Sequence, residues 1–169
     1  INDEMYRKIT ENRTVEEAEA KATAKVVALS AVKYGDLSNQ ASKDYIFDID
    51  RFTSFEGNTG PYILYTIVRI KSILNKYKEA GKEAGTAAIL PAHSESEKAL
   101  MLELTRFNAM MENAYEETAP HKVCSYIYDL ANALNHFYHE TKIMAEEDEA
   151  VQASYVRLLT LTRRTLEVC

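Results

Sequence analysis

From position 61 onward, apolar and polar residues alternate with the 3.6-residue period of a helix. Ile63, Ile67, Ile70, Leu74 and Tyr77 fall on one stripe, and Tyr62, Tyr65, Arg69, Ser72 and Lys76 on another. Pro61, just after the turn Glu56-Gly57-Asn58-Thr59-Gly60, sits where a helix can start, because proline at the first helical position forfeits no needed N–H. The same period recurs four times. Val15, Ala18, Ala22, Val26 and Leu29 predict a helix over 14–34, with Thr14 and Glu17 as a capping box and Gly35 as its stop. Leu100, Leu104, Phe107 and Met111 predict another, capped by Ser94 or Ser96. Val123, Tyr126, Leu130, Leu134 and Phe137 follow Pro120. Val151, Tyr155, Leu158, Thr162 and Leu166 follow the acidic run Glu146 to Glu149, which suits a helix N-terminus. Residues 1–12 read as a short helix of their own or as part of a fold that lies elsewhere. Between these stretches, 36–60 is a connector with a partly extended piece at 45–50 or a helix start near Asp50, and 80–91 is a loose Gly/Ala loop. The expected fold is all-α, a bundle of four to five main helices.

Composition narrows the class. With 169 residues, 46% hydrophobic and 27% charged, the chain can bury a core of its own. No apolar run approaches the roughly 18 residues that span a bilayer, and the N-terminus lacks a basic-then-apolar signal. A start at Ile1 is expected of a piece excised from something longer. Cys124 and Cys169, far apart and without a CxxC, fit reduced thiols and offer no zinc site. The net charge of −6 argues against a general nucleic-acid binder, yet leaves room for a local basic face.

Three polar rows carry the candidate chemistry. Tyr62, Tyr65, Arg69 and Lys76 place two rings and two cations in line, a set suited to stacking on unpaired bases and neutralising phosphate. His121, Tyr128, Asn132, Asn135 and His139 line up opposite the apolar stripe of their helix, either as a solvated face or as donors and acceptors for base edges. Arg157 and Arg164 share a side with Thr160 and face either phosphate or solvent. Catalytic constellations are missing. There is no Gly-rich phosphate loop, His136 and His139 lack further ligands, and Cys124 with His121 has no third orienting group. No catalytic residue and no metal site is expected.

The segment Asp44-Tyr-Ile-Phe-Asp-Ile-Asp-Arg-Phe-Thr-Ser-Phe-Glu-Gly-Asn-Thr-Gly-Pro-Tyr-Ile-Leu-Tyr65, with Arg69 four residues on, resembles the approach to the C-terminal, DALR-type anticodon-binding bundle of class I arginyl-tRNA synthetases. Ala119-Pro-His-Lys-Val-Cys-Ser-Tyr-Ile-Tyr-Asp-Leu-Ala-Asn-Ala-Leu-Asn-His-Phe-Tyr138 resembles a later helix of that domain, and Ala31-Val-Lys-Tyr-Gly-Asp-Leu37 the junction before it. The resemblance implies that 1–59 is the end of a catalytic body with its connector and 60–169 the anticodon-binding bundle. It implies an arginine tRNA as partner, held at its anticodon stem-loop, with Tyr62, Tyr65, Arg69, Lys76, His121, Tyr128, Asn132 and Asn135 as candidate contacts. Neither the His-Ile-Gly-His nor the Lys-Met-Ser-Lys-Ser type of signature occurs here, so ATP, Mg and the chemistry of arginine–tRNA ligation belong to an upstream catalytic domain. The fragment itself is expected to be inactive and to need no cofactor. Relatives of this kind continue into a short C-terminal tail near the anticodon, whereas this chain stops at Cys169. A cytoplasmic monomer with no membrane or DNA partner completes the expectation. The alternative is a helical protein-interaction module with an exposed Tyr/Arg face, whose binding, unlike that of RNA, would be insensitive to salt.

Overall fold

The computed structural model describes residues 1–11 and 16–169. Among these, regular structure is helical throughout: α1 (Asn2–Glu11), α2 (Glu17–Leu37), α3 (Ile49–Phe52), α4 (Gly60–Glu79), α5 (Glu95–Thr105), α6 (Phe107–Glu116), α7 (Pro120–Glu140) and α8 (Glu149–Val168), with a 3₁₀ turn at Ile143–Ala145. Within that range, no helix is long and apolar enough to cross a membrane.

The main core joins Ile63, Ile70 and Ile73 of α4, Leu100 of α5, Leu130, Leu134 and Phe137 of α7, and Tyr155, Leu158, Leu159 and Leu166 of α8. The stripes predicted for α4, α7 and α8 are the ones that face inward. Helix α7 starts at Pro120 without a side-chain cap, whereas α4 and α8 start at capping side chains. Thr59 Oγ1 accepts from the Tyr62 N–H at 3.3 Å while its hydroxyl donates to Ser54 O at 2.6 Å, which closes the Gly-rich turn onto α4. Asp148, inside the acidic run, accepts from the Ala150 and Val151 N–H groups.

A second, smaller core packs Met5 of α1 against Ala24, Val27 and Ala28 of α2, with Leu64 of α4 beside them. Here the expected stripe is on the wrong side. Val26 and Leu29 are 58% and 54% exposed, whereas the buried face is Ala20, Ala24, Val27, Ala28, Ala31 and Tyr34. Small residues face inward because neighbouring backbones come close: a Cβ on Gly60 would lie 2.3 Å from Ser30 O of α2. Gly35 is not the stop of α2 but part of its last turn, where a Cβ would lie 2.1 Å from the Phe52 ring. The predicted capping box at Thr14 lies outside the described residues, and Glu16, at the N-cap, makes no side-chain cap.

The connector folds back on the end of α2. Phe47 stacks on Phe52 and Tyr45 meets it edge-on, while the Tyr45 hydroxyl donates to Asp36. Within it, the helix start expected near Asp50 is α3, capped by Asp48. The helix predicted over Leu100 to Met111 is broken at Arg106 into α5 and α6. The Tyr126 hydroxyl donates to Glu103 O at 3.1 Å, taking the carbonyl that the Phe107 N–H would use in an unbroken helix. Ser94, not Ser96, caps α5, accepting from the Glu97 N–H.

Candidate nucleic-acid interface

The polar rows of α4 and α7 face each other across a shallow groove. The Tyr62 ring meets Tyr128 edge-on at 5.8 Å, and its hydroxyl donates to Asn132 Oδ1 at 2.8 Å. Asn135 Nδ2 donates to the Tyr62 oxygen at 2.7 Å, and Arg69 Nη1 donates to Asn135 Oδ1 at 2.5 Å. The sense of this chain follows from its first member. A guanidinium can only donate, so the Asn135 carbonyl must face it and the Asn135 amide must face Tyr62. Tyr62 is then the acceptor there, and its own proton goes to the carbonyl of Asn132. The Asn132 amide is left pointing outward as a donor on an exposed residue.

Beside this chain, the Arg69 guanidinium lies between two rings, 4.9 Å from the Tyr65 centroid and 5.1 Å from that of Tyr138. Each such cation–π contact contributes about 0.5–1 kcal/mol at an exposed site. Tyr65 is 47% and Tyr138 36% exposed, so both rings keep surface that a flat ligand can cover. Past Tyr138 the groove widens into a cavity of about 430 Å³ with Ile73, Ile143 and Met144 among its walls and Lys76, His139 and Lys142 around it. The arrangement offers flat aromatic surface, N–H donors and cations, and is chemically suited to unstacked bases with their phosphates.

The sequence-predicted residues are not equivalent. Tyr65 is available for stacking, but Tyr62 packs against the main core and its hydroxyl is engaged on both sides. Arg69 is half-buried and tied to Asn135 instead of reaching freely for phosphate. Tyr128, Asn132 and Asn135 line the groove, and Lys76 stands exposed beside its terminal cavity. His121 lies on the same face of α7, two turns or about 10 Å before Tyr128, and takes no part in the hydrogen-bond chain. Tyr138 is the residue the sequence pattern did not single out. It lies one position off the polar row of α7, next to the fully buried Phe137, and its ring meets Arg69 through the packing of α7 on α4.

Nucleophilic chemistry at Cys124 is disfavoured by its surroundings: burial pushes the thiol up to about 11, so it stays protonated near neutrality. Among the described residues, no group of three or more His, Cys, Asp or Glu side chains is placed to hold a metal ion.

The chain is 64% identical over its whole length to an arginine–tRNA ligase of Agathobacter rectalis and 51% identical to one of Alkaliphilus oremlandii, spanning 30% and 29% of their lengths. It superposes on the arginyl-tRNA synthetase of Thermus thermophilus with a TM-score of 0.85 and 29% identity, covering 98% of this chain and 28% of that one. The fold is shared with the Plasmodium falciparum arginyl-tRNA synthetase, at a TM-score of 0.85 and 23% identity, over 99% of this chain and 30% of that one. The chain thus spans about three tenths of the relatives it matches. The family model of the DALR anticodon binding domain matches residues 63–169, from the first buried isoleucine of α4 to the end of α8, and the chain belongs to that family as it occurs in arginyl-tRNA synthetases.

Proposed function

We propose that the α4–α7 groove holds the anticodon loop of an arginine tRNA, with unstacked bases lying on Tyr65 and Tyr138. The observation that supports this most directly is the clamped guanidinium: Arg69 holds two half-exposed rings at fixed spacing, ready for planar ligands. Asn132 and the remaining N–H groups of Arg69 supply donors to base edges, and Lys76 and Lys142 supply charge for the backbone. His121 belongs to this surface only as an outlying member. Each base stacked on a ring contributes about 1–3 kcal/mol.

The larger protein carrying this chain then performs ATP- and Mg-dependent ligation of arginine to tRNA in an upstream catalytic domain, in the cytoplasm and as a monomer. The outer face of α2 is well made to rest against that upstream body: Val26, Leu29 and Val32 form an exposed apolar stripe that continues towards Tyr45 and Phe47. Residues 1–59 would in that case belong with the catalytic body, and 60–169 with tRNA recognition.

The test is made in the full-length protein. Arg69→Lys keeps the charge and discards the plane. It is expected to weaken binding of an arginine-tRNA anticodon stem-loop about tenfold, with the melting temperature unchanged within a few degrees. Unaltered binding in both Arg69→Lys and Tyr65→Ala would rule the groove out.

A further inference from the structure

On the other flank of α4 lies a second cleft that the anticodon groove does not use. The end of α4, the segment after it and α8 border an open cleft of about 380 Å³, floored by Leu74, Tyr77 and Val156 and ringed by Lys78, Lys82, Arg157 and Arg163, with Glu83 as the single carboxylate. Four cations against one acid is the reverse of the chain's balance of −6. Local structure explains how they meet. Gly81, in the left-handed region at φ 73°, ends α4 in a Schellman turn, with its N–H on Lys78 O and that of Lys82 on Tyr77 O. The chain reverses there, and Lys82 Nζ reaches Gln152 Oε1 of α8 at 2.7 Å.

These cations are short of partners. Among the described residues, no carboxylate lies within 4 Å of Lys78 or Arg157, and Lys82 is held by a neutral amide. Arg163 Nε is shielded from water yet has no hydrogen-bond partner. The nearest carboxylate oxygen, on Glu167, is 3.6 Å away, and the other oxygen of that group is taken by Lys71 at 2.9 Å. An Nε without a close acceptor leaves this guanidinium under-satisfied, although the shielded atom itself is beyond the reach of a ligand in the cleft.

We infer that this cleft binds backbone phosphate of the same RNA whose loop occupies the α4–α7 groove. The inference rests on that groove assignment. The link is α4 itself: Arg69 and Lys78 are nine residues apart, about 13 Å along the axis, and Lys76 and Lys78 stand on opposite sides of its last turn, one at each site. A strand crossing the end of α4 meets cations continuously. Of the sequence-predicted pair, Arg157 belongs to this site, and Arg163, not Arg164, is its partner.

Binding in the full-length protein is measured against salt concentration, using an arginine-tRNA anticodon stem-loop and a stem-loop of equal length with a scrambled loop. The variant Lys78→Gln with Arg157→Gln keeps both side-chain stems and removes both charges. It is expected to weaken both RNAs alike, severalfold, and to lower the slope of log affinity against log salt by about one to two. Lys43→Gln with Lys98→Gln is the charge-matched control and is expected to leave the slope alone. An unchanged slope in the cleft variant, or an equal fall in the control, overturns the inference. Inorganic phosphate serves as a separate probe, and millimolar phosphate occupying the cleft without reducing RNA affinity would assign it to a free anion and overturn the RNA assignment. Failure of the groove assignment is distinguishable, because it appears as Arg69→Lys and Tyr65→Ala variants that both bind the anticodon stem-loop like the parent.

Discussion

Single residues in this chain are chosen by hydrogen-bond capacity as much as by size. Asn135 is the pivot of the groove because its side chain accepts on one side and donates on the other, as the pairing of Arg69 with Tyr62 demands. Elsewhere a residue is out of place for its backbone. Thr118 follows α6 at φ 50° in a Schellman turn, with the Thr118 N–H on Tyr115 O and the Ala119 N–H on Ala114 O. That position favours glycine, and a β-branched residue there is strained by about 1–2 kcal/mol. Thr118→Gly is expected to raise stability by roughly 0.5–1 kcal/mol, the relief being partly offset by the added freedom of the unfolded chain. Urea denaturation followed by circular dichroism measures it, with the slope of the transition unchanged.

At the scale of elements, α4, α7 and α8 were legible in the sequence because their buried positions hold large apolar residues at helical spacing and their first turns carry proline or a capping side chain. Helix α2 was misread for the opposite reason. Its inward face is mostly alanine, so burial went to small residues, and the larger Val26 and Leu29 were left outside. The break at Arg106 carries no glycine or proline and depends on a tyrosine twenty residues later. In the groove, the rows of rings, amides and cations were readable, but Tyr138 was not, since its place over Arg69 is set by how two helices pack. The contact that sets the α2–α4 distance is Gly60, whose missing side chain lets the helix start almost touch Ser30 O. Gly60→Ala forces a backbone shift there and is expected to cost about 1–3 kcal/mol, seen as a lower urea midpoint. Were the midpoint to stay fixed, the two backbones would have slack.

On the scale of the whole molecule, acidic character overall coexists with two basic sites on opposite flanks of α4. A net charge of −6 lowers indiscriminate attraction to polyanions, so affinity depends on cations placed by the fold. The two cores are also unequal. The main one draws on α4, α5, α7 and α8, whereas the smaller one holds α1 through Met5 and a few neighbours on α2, with Lys8 Nζ to Thr53 Oγ1 as a tether to the connector. Because α1 packs almost wholly on α2 and contributes nothing to the main core, it can detach without opening that core. Its amides are expected to trade deuterium well before those in the middle of α7, through a partial opening that leaves the remaining helices shut. The molecule would thus loosen at its N-terminal corner while the α4–α7 groove and the α4–α8 cleft keep their shape.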